Sequence, residues 1–250
     1  MAAPIRIGIA IPTYNERENI IPLLEAAHSF VPGAHLLVID DSSPDGTATL
    51  VAEFAQRNPH VEVKVRPRKE GLGAAYVDGF GHLLAAGYDV VLQMDADFSH
   101  KPENLPRFVE TLAAGADLVI GSRYVPGGGT ENWGWRRKLT SRGGSIYAAT
   151  VLGVPVKDVT GGFKGWRATL LRRVIAKELL LKGFGFQIEL TYRARLLGAN
   201  IREIPIVFPD RTRGASKMSG AIFREAFFGV LRLRRMGRRL VSCWGDELLL

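Results

Sequence analysis

Cysteine is almost absent from this chain. The one thiol, Cys243, has no partner for an internal disulfide, which fits a reducing compartment or a fold that needs no bridges. Long apolar runs are missing as well. A membrane-spanning helix needs about 18–20 uncharged apolar residues, and the nearest stretch, 143–156, is shorter and interrupted by glycines. The N-terminus, Met1-Ala2-Ala3-Pro4-Ile5-Arg6, lacks the charged start and long apolar centre of a secretory signal. A chain that does not cross a bilayer is therefore expected. There is no linker, low-complexity tract or internal repeat either, which makes a single main domain, 1–218, followed by a helix and tail over 219–250, the simplest division.

Apolar residues make up 46% of the 250, enough for a substantial core. The net charge of +8 is not spread evenly. Between 211 and 240 stand Arg211, Arg213, Lys217, Arg224, Arg232, Arg234, Arg235, Arg238 and Arg239 against the single acid Glu225. The rest of the chain is balanced, so an anionic partner is expected at the C-terminal end.

Short Val- and Ile-rich runs at 5–11, 35–39, 61–65, 89–94 and 117–120 read as buried strands. Amphipathic segments at 18–29, 47–57, 73–86 and 102–114 read as the helices between them, with Pro102 suited to a first turn. This alternation predicts an α/β fold with a mostly parallel, Rossmann-like sheet flanked by helices, whose ligand crevice lies at the carboxyl ends of the strands. Polar and glycine residues gather at those ends: Pro12-Thr13-Tyr14-Asn15-Glu16, Asp40-Asp41-Ser42-Ser43-Pro44-Asp45-Gly46, Glu70-Gly71-Leu72-Gly73-Ala74, Asp95-Ala96-Asp97 and Gly121-Ser122-Arg123-Tyr124.

Asp95 and Asp97, two apart after an apolar strand, leave an extended chain on the same face. Their mutual repulsion is relieved by a hard cation such as Mg²⁺ or Mn²⁺, which favours carboxylate oxygens and keeps positions for phosphate and water. An isolated Asp-x-Asp is more often a solvated turn; the surrounding constellation reverses that reading. Gly71-x-Gly73 opens a helix after a strand, as a dinucleotide fingerprint does, but Tyr76 stands where the third glycine belongs. Gly71 and Gly73 instead suit close approach of backbone to a nucleotide. Asp40 and Asp41 are placed to accept hydrogen bonds from ribose or base, or to be an acid pair at a helix start.

Taken in order, these segments with Arg211-Thr212-Arg213-Gly214-Ala215-Ser216-Lys217 resemble the inverting family 2 glycosyltransferases of the GT-A fold. Within them the likeness is to polyprenol-phosphate (dolichol-phosphate) mannosyltransferases, and it covers roughly residues 5 to 220. The resemblance implies that Pro12, Tyr14, Glu16, Ile39 and Asp41 contact the nucleotide of GDP-mannose, with Gly71 and the Ala96 backbone beside the donor. It implies Mg²⁺ or Mn²⁺ on Asp95 and Asp97, and Ser99 where some relatives carry a glutamine ligand. Arg123, Arg137, Ser141, Arg211 and Lys217 match residues that hold donor and acceptor phosphates, with Arg137 and Ser141 on the acceptor and Asp97, Arg123, Arg211 and Lys217 in catalysis. The physical rationale is independent: two phosphates meeting carry more charge than one metal neutralises, and guanidinium forks bind phosphate oxygens bidentately. Residues 214–216 are suited to a lid closing on the donor. Asp158 and Glu189 read as sugar- or phosphate-site organisers or as structural acids.

A phosphate acceptor with a second pKa near ~6 is already a nucleophile at neutral pH, so no general base is required and in-line attack inverts the sugar. Ile222, Phe223, Ala226, Phe227, Val230 and Leu231 share one helical face, opposite Arg224, Arg232, Arg235 and Arg239, with Arg234 and Arg238 at the border. Such a helix suits the cytoplasmic face of a membrane, where a polyprenyl phosphate resides, or packs on the domain with a solvated basic side. A separate membrane-spanning partner is compatible with this arrangement. Transfer from UDP-glucose or another nucleotide sugar stays open as the alternative. Nucleic acid is disfavoured because the excess charge lies on an apolar-faced helix.

Overall fold

The structure, a computed structural model, describes residues 5–181, 183, 185–209 and 220–242. Its first half is the expected alternation. Strands β1 (Ile7–Thr13), β2 (Ala34–Asp40), β3 (Val61–Val65), β4 (Val90–Gln93) and β5 (Leu118–Ser122) are separated by α1 (Ile20–Phe30), α2 (Thr47–Ala55), α3 (Leu72–Ala85) and α4 (Leu105–Ala113). Pro102 opens a 3-10 turn, Pro102–Asn104, that leads into α4. Strand β1 is buried along its whole length, as its unbroken apolar sequence requires of a strand covered on both faces.

The second half adds what periodicity did not reveal: β6 (Gly129–Glu131), α5 (Trp135–Leu152), β7 (Lys164–Arg167), α6 (Ala168–Val174), α7 (Gly185–Leu196), β8 (Ile201–Pro205) and β9 (Val207–Pro209), then α8 (Gly220–Ser242). The main sheet has the order β3-β2-β1-β4-β7-β5-β8, while β6 and β9 form a separate parallel pair. All main-sheet pairings are parallel except those of β7, which runs against both β4 and β5. Because β7 is reversed, the loop entering it, 158–163, arrives at the same edge as the carboxyl ends of β4 and β5. The direction of the chain changes sides at β1, with β2 on one flank and β4 on the other, and that is where an α/β sheet opens its crevice.

Two apolar clusters cover the faces. One packs α3, α5, α6 and α7 around Tyr76, Phe80, Trp166 and Phe186; the other packs α1 and α4 around Ile9, Leu36 and Phe108. Helix α8 docks by its small residues. A Cβ at Gly229 would meet Leu181 Cδ2 at 2.7 Å, and one at Gly237 would collide with the Tyr192 hydroxyl. Val230 and Leu233 are buried beside them, whereas Phe227, Phe228 and Leu231 are exposed. The apolar face expected of this helix therefore divides: Val230 serves the domain, Phe227 and Leu231 face outward, and the side chains of Ile222, Phe223 and Ala226 lie outside the described residues.

Candidate active site

The loops after β1 and β2 are braced against each other. Asp40, fully buried, accepts the Thr13 hydroxyl (2.8 Å), the Ser43 amide (2.8 Å) and the Ser43 hydroxyl (2.6 Å). Its oxygens are taken up by this turn, which ties the two loops together. Asp41 Oδ1 is held at 2.5 Å by Arg66, whose other terminal nitrogen reaches Glu70 at 2.7 Å. Tyr14 carries the Lys69 ammonium 3.3 Å above its ring centre, a cation–π pair at the mouth of the crevice. Pro12 is buried at the end of β1, and Glu16 Oε2 accepts from Asn19 at 2.8 Å. Ile39 is the exception in this set. It is fully buried, and a Cβ on Gly79 of α3 would fall 2.6 Å from its Cδ1, so its side chain belongs to the core.

Gly71 has φ 103°, a backbone only glycine adopts readily, and caps α3 at the crevice. Gly73 has a different reason from the one expected. A Cβ there would sit 3.1 Å from Phe186, so this glycine allows α3 to pack closely on α7.

The Asp95–Asp97 turn follows β4 at the crevice. The Asp95 amide donates to His100 Nδ1 at 2.9 Å, and Asp95 Oδ1 accepts the Tyr76 hydroxyl at 2.7 Å. Phe98 takes φ 60°, which turns the chain so that the Ser99 amide caps Asp97 Oδ1 at 3.1 Å. Ala96 is buried beneath the turn. Burial, then the Asp95 and Asp97 charges, push the Tyr76 phenol well above its ordinary range, so it remains a neutral donor. The turn fits a hard cation: two partly exposed carboxylates and the buried Ser99 hydroxyl, which has no hydrogen-bond partner among the described residues. No third His, Cys, Asp or Glu among those residues completes a closed site, leaving room for phosphate oxygens.

Arg123, just past β5, meets the loop entering β7. Its Nε and one terminal nitrogen each lie 2.7 Å from an oxygen of fully buried Asp158, which also accepts the Arg123 amide at 3.0 Å. Thr160 accepts from the same guanidinium at 2.9 Å. Arg137 of α5 lies 3.8 Å above Trp133, and Ser141 accepts the Tyr124 hydroxyl at 2.7 Å. The ring of Phe208 joins this half to the Asp95 turn, with centres 5.5 Å from Trp133 and 5.7 Å from His100. Arg211, Lys217 and the 214–216 segment lie outside the described residues.

Comparison with known sequences decides the class. The family model described as Glycosyl transferase family 2 matches residues 8–175, from the first strand through α6. The chain belongs to glycosyl transferase family 2. The polyprenol monophosphomannose synthase of Mycolicibacterium smegmatis is 47% identical over 234 residues, 93% of this chain and 88% of the relative. The undecaprenyl-phosphate mannosyltransferase of Micrococcus luteus is 46% identical over 228 residues, 91% of this chain and 93% of the relative. Among solved structures, glucosyl-3-phosphoglycerate synthase of Mycobacterium tuberculosis superposes with a TM-score of 0.68 at 21% identity, covering 91% of this chain and 79% of that one. A mannosyltransferase of Pyrobaculum calidifontis, in complex with GDP-Man and Mn²⁺, gives 0.58 at 16% identity, covering 98% and 76%. At such identities the last two speak for the fold.

Several residues of this glycosyltransferase's crevice were not legible beforehand: Arg66 behind Asp41, Lys69 over Tyr14, Tyr76 and His100 on Asp95, and Trp133 under Arg137. Tyr76 drew notice only as a residue in a glycine's place; its distance from the Asp pair in sequence hid their contact. Glu189 is a structural acid. Its carboxylate accepts the Leu180 and Leu181 amides and pairs with Arg193 at 2.6 Å, both side chains fully buried.

Behind the crevice lies Lys164, fully buried, whose Nζ donates to the Gln187 carbonyl (2.8 Å) and side-chain oxygen (2.7 Å). Burial lowers its pKa from 10.5 to about 7, against the pull of Asp158. Between those values the unfolded chain holds a proton that the folded protein releases, so this group makes the fold more stable as pH rises from about 7 to 10.5. Lys164→Met is expected to flatten that part of the Tm-against-pH curve relative to the parent. Parallel curves would show that Lys164 keeps its proton in the fold.

Proposed function

We propose that this glycosyltransferase moves mannose from GDP-mannose to a polyprenyl phosphate, giving a polyprenyl phosphate mannose with inverted configuration. The observation that supports it best is the joining, through Phe208, of a hard-cation turn to a guanidinium-rich half suited to a second phosphate. The two bacterial relatives at 46–47% identity are named for making a polyprenol monophosphomannose and for mannosyl transfer to undecaprenyl phosphate.

In this reading Asp95 and Asp97, with Ser99 directly or through water, hold Mg²⁺ or Mn²⁺. When bound, the cation neutralises charge gathering on the departing nucleoside diphosphate. Tyr14, Glu16 and Asp41 with Pro12 and Gly71 form the nucleotide wall, and the Ala96 backbone borders the donor. Arg137 and Ser141 receive the acceptor phosphate, which is its own nucleophile. Arg123, fixed by Asp158, presents a rigid positive charge to the phosphates, and Arg211 and Lys217 complete the set. Catalysis is then mainly positioning and charge stabilisation.

A lipid acceptor also calls for a lipid-facing surface. On α5, Trp135, Leu139 and Ile146 are exposed along one stripe, flanked by Arg136, Lys138 and Arg142. Tyr147 of α5 stacks on Phe227 of α8 at 4.6 Å, so the stripe continues into exposed Phe228 and Leu231 beside Arg232 and Arg235. No described helix is long and apolar enough to cross a membrane. We read this paired surface as a peripheral anchor in the cytoplasmic leaflet, basic groups on headgroups and rings below them.

One assay tests both parts. With polyprenyl phosphate in anionic vesicles and Mg²⁺ or Mn²⁺, label from GDP-mannose should enter the organic extract and the protein should sediment with the vesicles. Label arising only from UDP-glucose would replace the donor, and protein left in the supernatant would remove the anchor.

A further inference from the structure

Asp95 is held at two atoms, its carboxylate by Tyr76 of α3 and its backbone amide by His100. Tyr76, fully buried on α3, spends its hydroxyl on Oδ1. His100, also buried, accepts the Asp95 amide on Nδ1, which fixes the ring as the tautomer protonated on Nε2, and that nitrogen lies 4.0 Å from Oδ2, beyond hydrogen-bond reach. The imidazole is itself wedged between Phe163, stacked at 4.8 Å, and Phe208, edge-on at 5.7 Å. Tyr76 in turn packs against Phe80 and Phe186. Neither partner has room to follow a wandering carboxylate. With Oδ1 taken by Tyr76, Oδ2 is the oxygen left for a cation.

We infer that Tyr76 and His100 are positioning residues for the cation: a phenol takes Oδ1 of the Asp95 carboxylate and an imidazole holds its backbone amide, so that Oδ2 is the oxygen presented. This rests on the reading of Asp95 and Asp97 as cation ligands. The physical gain is orientation. A carboxylate free to rotate alternates between one-oxygen and two-oxygen binding, whereas Mg²⁺ and Mn²⁺ sites favour regular six-fold geometry. Partners that fix a ligand from behind typically matter by ten- to a hundredfold in metal affinity or activity. The Tyr76 hydroxyl does this without adding charge.

The experiment measures Mn²⁺ binding directly, by titration calorimetry and by the loss of the free-ion electron spin resonance signal, with GDP present and no turnover. Tyr76→Phe keeps the ring and its packing and removes only the oxygen. It is expected to raise the Mn²⁺ Kd by about tenfold or more. In turnover the metal concentration for half-maximal rate should rise alike, and kcat at saturating metal should largely recover. A purely structural tyrosine would lower Tm and leave the Mn²⁺ Kd alone. His100→Leu removes the acceptor of the Asp95 amide and is expected to weaken Mn²⁺ similarly, so it carries the test should Tyr76→Phe not fold. Asp97→Asn is the reference. If it still binds Mn²⁺ as the parent does, the cation site itself is wrong; if it does not bind but a folded Tyr76→Phe or His100→Leu matches the parent, the clamp alone is overturned.

Discussion

Asp97→Ala should reduce mannosyl transfer about a thousandfold while leaving the protein folded. The estimate follows from the position of the carboxylate. A cation stabilising a leaving diphosphate contributes several kcal/mol, and each 1.4 kcal/mol is a factor of about ten in rate. Asp97 is partly exposed on a turn after β4, where its carboxylate caps the Ser99 amide. Loss of that bond costs about 1 kcal/mol, which a domain of this size registers as a few degrees in Tm at most. The measurement pairs initial rates of lipid-extractable product with thermal melting. A folded Asp97→Ala protein within tenfold of the parent would place the cation elsewhere.

The largest effect on stability is expected from Asp158→Ala. The substitution strands Arg123, whose side chain is about one-tenth exposed, with a buried positive charge and an unpaired backbone amide. Breaking a buried ion pair from one side typically costs about 3–5 kcal/mol, chiefly because the remaining charge has no compensation. At 2–4 °C per kcal/mol this lowers Tm by about 10 °C. The Arg123→Met/Asp158→Ala double variant removes the stranded charge and should regain much of the loss, though not the activity if Arg123 faces phosphate. Equal melting of single and double variants would show that the cost lies in the Asp158 cavity and not in the unpaired guanidinium.

The sheet was legible wherever the chain wrote it in long apolar runs. Strands β1 to β5 differ from the expected ranges by a few residues, because buried parallel strands need continuous Val and Ile, and α1 to α4 follow the same logic. The later strands are three to five residues long, and Lys164-Gly165-Trp166-Arg167 has no apolar rhythm at all. Its lysine is buried by hydrogen bonds to Gln187, and its glycine by the approach of Leu92, neither of which a periodicity can foretell. The same distinction holds in the crevice. Asp95 and Asp97 could be found because they are neighbours in sequence. Arg123 and Asp158, or Tyr76 and Asp95, could not be joined, since only the folded sheet brings them together. Asp40 shows the converse: beside Asp41 it reads as a ligand group, yet Thr13 and Ser43 occupy its oxygens.

The reversed strand β7 also governs how much chain must be closed to bring the two halves of the crevice together. The nucleotide wall rests on β1 and β2, which pair Ile7 with Ala34 across one short helical crossover. The phosphate half exists only after Arg167 has come back to lie against Val90, a far longer loop to close. The Arg123–Asp158 pair comes together only when that closure is made, whereas the Asp95 turn follows β4, whose pairing of Val90 with Ile7 spans as much chain. Both halves of the crevice therefore depend on contacts far apart in sequence, and β7 is the strand that sets them side by side.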